Sequence, residues 1–540
     1  LIALVVVPLM SLSGRSLLYV LQRVVPFVVF GIVGFVCLGM QFGNQPGVLS
    51  DRVLFDLAVA GEIRSHFTLG PDIDIPLAPT SHVLWQLLVG LVGIIVPNLV
   101  AAGMVLNAAT ALVVLWQSIR LAEKLLNHPA LVMCAGVVVA VSIPVLGNLL
   151  NHGPALLGIA LALTSVRMHM SGVSGDRAVL SFGAAVWLGL AMLVHVEFVV
   201  FWFAMVAHAV FLSTCNNPRF TTRQAVMQGL VGLTLFALIL WPVVHRNVTT
   251  SGMAWPFDNH APQLITASNG VVDLDGSAAT VNDGGVVQAV LSTLFGAGKP
   301  TAVFLLFSLL GIVVLAVQYG VRERSRAFLL VGFLLAGVPL LYGLFSMRSG
   351  WLGAPAVLGT LYPLLVIVGL YAAFQVGLSI KPSAGKIVVI LVAVLWTITS
   401  LFATTKHATL NRDALTASNQ SRAAWEDWHS RHVRGEGRLR VATDRPGWMC
   451  YRDAGKVNID LTGWSGPERI SRCREVDGTI NTRKFSKLLD GLDPSERPQA
   501  MVLWDENADI FARRLINERE GKVTSASEQG AVPAILILDW

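Results

Sequence analysis

The chain has 540 residues, 54% of them apolar and only 13% charged, against about 25% charged in a soluble protein of ordinary composition. Of the 72 Asp, Glu, Lys and Arg residues, 41 follow residue 405, which excludes a single soluble globule and predicts a membrane-embedded part, 1–405, followed by a soluble domain, 406–540. The net charge of +6 comes as small basic clusters between apolar runs, the pattern of membrane loops, and is not a nucleic-acid signature.

In chain order, the opening run "LIALVVVPLMSL" is too short to cross a bilayer by itself. A trimmed leader, a truncated helix and an interfacial segment all fit it. Spans are expected at 24–42, 99–117, 129–147, 151–166, 178–195, 197–213, 226–244, 301–319, 328–346, 354–379 and 386–405. The run 81–97 is borderline and is expected to dip in without crossing. The clusters Arg15 with Arg23, Arg120 with Lys124, Arg167 with Arg177, Arg219 with Arg223, Arg322 with Arg324 and Arg326, and Lys381 with Lys386 then mark the cytoplasmic side. The resulting topology is about eleven transmembrane helices, amino end inside and carboxyl domain outside. It sends 43–80, 148–153, 194–198, 245–300, 346–353 and everything after 405 to one outer face.

In the soluble domain, 438–443, 455–461, 499–505 and 531–539 read as strands and 506–520 as an amphipathic helix, which together predict a small α/β domain. It carries no metal-ligand cluster or nucleophile motif, and a lid or docking role suits it. Cys450 and Cys473 could pair there in an oxidising compartment. Cys37, Cys134 and Cys215 sit in or beside apolar runs as packing residues.

The outer face collects the groups with possible chemistry. Asp51 opens "SDRVLFDLAVAGEI", where Val53, Leu54, Leu57, Ala60 and Ile63 supply the apolar side of a helix. Two readings of Asp51 stand: a helix-start acid favoured by the macrodipole, or a general base at the membrane surface. Asp56 and Glu62 lie apart around that helix and are expected to be solvated. Arg246 and Arg348 either snorkel to lipid headgroups or offset the charge of a departing phosphate. His195 and Glu197 flank a tight turn, where they either pair with each other or join a site. Asp258, His260 and His152 are weaker candidates. No fixed spacing of a protein metal cage is present, which leaves room for a carboxylate-bound divalent cation and predicts no cofactor with certainty.

These features resemble the GT-C superfamily of polytopic glycosyltransferases. The nearest likeness is to the mycobacterial terminal arabinofuranosyltransferases, whose first outer loop carries an acidic pair, a helix and a Thr-Ser-x-x-Trp stretch. Here "SDRVLFDLAVAGEI" is followed by "PTSHVLW", with Asp51 at the first acid and Arg52 at the second. "LVHVEF" is similar to the family's Arg-Pro-Glu element with Glu197 retained, and Arg246 precedes a Gly252-to-Pro256 segment. "TLYPLL" and "GWMCYRDAGKVNIDLTGW" are similar to a late Leu-x-Pro element and an outer-domain element.

The resemblance implies an integral membrane enzyme of the bacterial inner membrane. It would transfer a sugar, arabinofuranose among the candidates, from a polyprenyl-phosphate donor to a cell-envelope glycan or glycoconjugate. Asp51 would be the general base of an inverting single displacement. Arg246, Arg348 and His195 would face the donor phosphate. Glu197, Asp56, Trp448 and Trp464 would support the acceptor, the two tryptophans as sugar-stacking surfaces or as core. The rival reading is a transporter or flippase of a lipid-linked substrate. That class is expected to show duplicated halves and mid-membrane charges, whereas here the acids gather at one surface.

Overall fold

The computed structural model describes residues 14–42, 51–66, 82–126, 128–174, 182–214, 221–251, 304, 308–314, 324–349, 355–381, 384–432, 439–444, 448–449, 456–461, 473, 480–504, 508–519, 521–525 and 533–539. Twelve labelled helices form a bundle: α1 (Gly14–Phe42), α2 (Asp51–His66), α3 (Val83–Ile95), α4 (Leu99–Leu125), α5 (Pro129–Ala140), α6 (Ala155–Ser174), α7 (Phe182–Met192), α8 (Val199–Thr214), α9 (Thr222–Ser251), α10 (Arg324–Ser349), α11 (Pro355–Ile380) and α12 (Ala384–His432). Among the described residues, seven helices are long and apolar enough to cross a bilayer, and a bent pair makes an eighth. The expected span 301–319 falls mostly outside the described residues.

Two irregularities have local causes. Helix α3 has 13 residues, about 20 Å at 1.5 Å each, short of the ~30 Å hydrocarbon core. The bent pair joins α5 to Ile143–Asn151 at 44°. Pro144 lies in a π-helical turn, Ile143–Gly147, immediately after the break. Proline offers no N–H to the ladder, and its ring displaces the preceding turn.

Helix α11 is almost wholly buried and packs on α5, α6 and α12. Helix α1 lies against α5 and α12. A methyl group at Gly136 of α5 would meet Pro26 Cγ of α1 at 2.6 Å, so glycine sets how closely these two helices approach.

Helix α12 runs for 49 residues, about 74 Å, through the compositional break at 406. The α/β domain then adds helices α13 (Thr482–Asp490) and α14 (Ala508–Glu518) to strands β1 (Arg440–Thr443), β2 (Lys456–Asp460), β3 (Ala500–Leu503), β4 (Val523–Ser525) and β5 (Ala534–Leu538). The sheet order is β2-β1-β3-β5-β4. Strands β2, β1 and β3 run parallel, while β5 is antiparallel to both β3 and β4. Alternate residues separate its two faces. Ala442, Met501, Leu503 and Leu536 join Phe485 of α13 and Phe511 of α14. Val441, Val502 and Ile535 belong to the same apolar cluster as Trp425 of α12. Strand β4 and helix α13 escape the sequence reading; Asn481, whose side chain accepts from Lys484 N at 2.9 Å, is the start signal for α13.

Candidate active site

Helix α2 begins at Asp51, whose side chain lies outside the described residues. The apolar stripe Val53, Leu54, Leu57, Ala60 and Ile63 is buried as its spacing requires, and Phe55 and Val59 are buried as well. Packing against α3 and α4 closes faces that a surface helix would leave wet.

This corrects the expectation for Asp56, which is 0% exposed rather than solvated. Its Oδ2 lies 2.7 Å from His82 Nδ1, and its Oδ1 accepts from Gln86 Nε2 at 2.6 Å. His82 and Gln86 stand four residues apart on α3 and so share one face. His82 occupies the N-cap position of α3 without capping it through its side chain; the ring turns to the carboxylate instead. Neither residue was singled out from sequence. The available signal was two polar residues, helically spaced, entering an otherwise apolar run in "SHVLWQLL". Glu62 is partly exposed, closer to expectation.

The second strip of the site is the turn after α7. His195 is extended and precedes a 3-10 turn, Val196–Phe198. Its ring meets that of His82 edge-on, with centroids 4.8 Å apart. A backbone bond from Leu84 N to Leu193 O at 3.4 Å ties α3 to this turn. Val83 and Val243 of α9 form one small apolar cluster, with Leu193 and Val196 packed against it. Arg246 is thereby one helical turn from that contact. It is half-buried, with Nη1 3.4 Å from Oδ1 of the fully buried Asn247. Glu197 is half-buried in the same turn.

The third strip is the turn after the broken span. A methyl group at Gly153 would lie 3.5 Å from Val53 Cγ2, which sets this turn beside the start of α2. Gly153 O accepts from Asn107 Nδ2 at 3.0 Å, and Asn107 Oδ1 accepts from Trp85 Nε1 at 3.2 Å. His152 is buried in the left-handed region at φ 59°, with Nδ1 2.7 Å from Leu150 O. Asn411 of α12 donates to Gln41 Oε1 and Asn151 Oδ1, each at 3.1 Å, so α1, α12 and the turn meet in one polar knot.

Other predicted residues fall elsewhere. Arg348 lies in the last turn of α10, its side chain outside the described residues, as are Asp258, His260, Trp464 and Cys450. Trp448 is buried, with its ring edge-on to Trp504 at 5.5 Å, the packing of a core residue. Cys473 is buried. Among the described residues no three His, Cys, Asp or Glu side chains gather as a metal site.

No protein-family model matches the chain, and no curated protein matches it. It is similar to a crystal structure of ArnT from Cupriavidus metallidurans in the apo state, with TM-score 0.58, 12% identity, and coverage of 95% of this chain and 97% of that one. The structure of the same protein bound to undecaprenyl phosphate gives TM-score 0.56, with the same identity and coverage. The likeness establishes the fold: a polytopic membrane bundle of the GT-C type with a carboxyl-terminal α/β domain.

Proposed function

We propose that this protein is a membrane glycosyltransferase that takes a sugar from a polyprenyl-phosphate donor and passes it to a glycan or glycoconjugate hydroxyl. The observation that carries the reading is the end-to-end likeness to a fold whose solved example holds undecaprenyl phosphate. Asp51 stands at the start of the first-loop helix, two residues before Val53, which lies beside the Gly153 turn. In this reading it takes the proton of the acceptor hydroxyl as the oxygen attacks the anomeric carbon. The bond from that carbon to the phosphate oxygen breaks, polyprenyl phosphate departs, and a single displacement inverts the centre, as in other one-step sugar chemistry. Arg246, with His195 and Arg348, offsets the charge on the departing phosphate.

The colinear elements around Asp51, Glu197 and Arg246 support arabinofuranose as the sugar and a cell-envelope glycan as acceptor. The basic clusters support an outward-facing site in a bacterial inner membrane. The test is turnover by purified protein in nanodiscs of polyprenyl-phosphate arabinofuranose, with polyprenyl-phosphate mannose alongside, scored as release of polyprenyl phosphate. Asp51→Asn is expected to keep its melting temperature and lose about 10²–10⁴-fold in kcat. Full activity in that variant would overturn the assignment.

A further inference from the structure

The Asp56–His82–His195 line joins three separate parts of the bundle. Asp56 belongs to α2, His82 stands at the head of α3, and His195 lies in the turn after α7. Replacing a buried ionic group by well-packed apolar residues is commonly neutral or stabilising, so stability alone does not call for a carboxylate at 0% exposure. Both carboxylate oxygens are engaged, one by the Gln86 amide donor and the other by His82 Nδ1. The 2.7 Å bond between His82 Nδ1 and Asp56 Oδ2 fixes the plane of the ring whichever of the two atoms donates. The locked ring is what the His195 ring rests on, edge to face at 4.8 Å.

The far side of the turn is equally constrained. A methyl group at Gly158 would fall 2.5 Å from Phe198 Cε2 and 3.5 Å from His195 Cδ2, so α6 presses on the turn with nothing between. Val196 then touches the cluster that contains Val243, three residues before Arg246. His82, the His195 turn and Val243 of α9 therefore form one contiguous run of contacts.

Resting on the transfer reading above, we propose that His82, oriented by Asp56, is a positioning residue. It registers the His195 turn, and with it the Arg246 end of α9, against the helix that starts at Asp51. It acts through these groups and does not touch the reacting atoms.

The test uses the full chain in nanodiscs. His82→Phe keeps an aromatic ring without Nδ1, and His82→Gln supplies an amide N–H. Backbone hydrogen exchange over 193–198 is expected to quicken at least about tenfold in His82→Phe and to return toward wild type in His82→Gln, while α11 is unchanged. On the donor that the wild type uses, His82→Phe is expected to lose about 10–100-fold in kcat at a similar melting temperature, with partial rescue in His82→Gln. Exchange unchanged in His82→Phe overturns the clamp. Faster exchange with unaltered kcat overturns the positioning role. A wild type that turns over none of the donors sinks the transfer reading instead, and the exchange result still decides the clamp.

Discussion

His152 occupies a conformation that residues other than glycine and asparagine adopt at a cost, and it does so while buried. Burial pushes its pKa from 6.5 down to about 4. The unfolded chain therefore takes up a proton below about pH 6.5 that the fold refuses, and stability falls as pH drops from there toward about 4. At about 1.4 kcal/mol per unit, the loss is on the order of 3 kcal/mol. His152→Asn tolerates the same backbone and does not titrate, so it is expected to flatten this acid-side slope in melting temperatures taken between pH 4 and 7; an unaltered slope would show that other groups dominate. At this scale the sequence was partly legible. Asp51, Glu197 and Arg246 stood out because each sits where a polar stretch meets an apolar run, and their roles rest on the proposed transfer. Asp56 was misread because a helical wheel knows one helix, and α3 covers the face that the wheel left to water.

At the scale of elements, hydrophobic runs and alternation were strong guides. Four of the five strands and α14 lie within their predicted windows, since buried strands in a polar domain contrast sharply with their flanks. Boundaries within the membrane part were harder to read, because apolar composition marks a bundle interior and a lipid-facing span alike. The break at Val141–Ser142 and the short α3 show this. Close helix approach makes a separate prediction. Gly136→Val adds bulk against Pro26 Cγ, already 2.6 Å from the position of the first added carbon. It is expected to cost about 1–3 kcal/mol through overpacking, read as a lower melting temperature in detergent. Unchanged stability would mean that α1 and α5 can separate freely.

For the molecule as a whole, the compositional border near 406 and the structural one differ. Charge rises where α12 leaves the apolar region, yet the helix continues to His432, and β1 starts only at Arg440. Trp425 of that helix shares a core with Val441, Val502 and Ile535 of the sheet. A fragment 406–540 keeps this cover, whereas 439–540 bares one sheet face. The longer fragment is expected to melt cooperatively by circular dichroism and the shorter to bind a hydrophobic dye and melt broadly. Equal behaviour would show that the helix contributes nothing to the domain.

Continuity of α12 also carries a mechanical meaning. A strut that is unbroken from lipid to sheet, bonded at its waist through Asn411 to Gln41 and Asn151, provides no swivel. On the proposed transfer reading, an acceptor held by the carboxyl-terminal domain would be presented at a set azimuth, governed by torsional stiffness instead of by the slack of a tether.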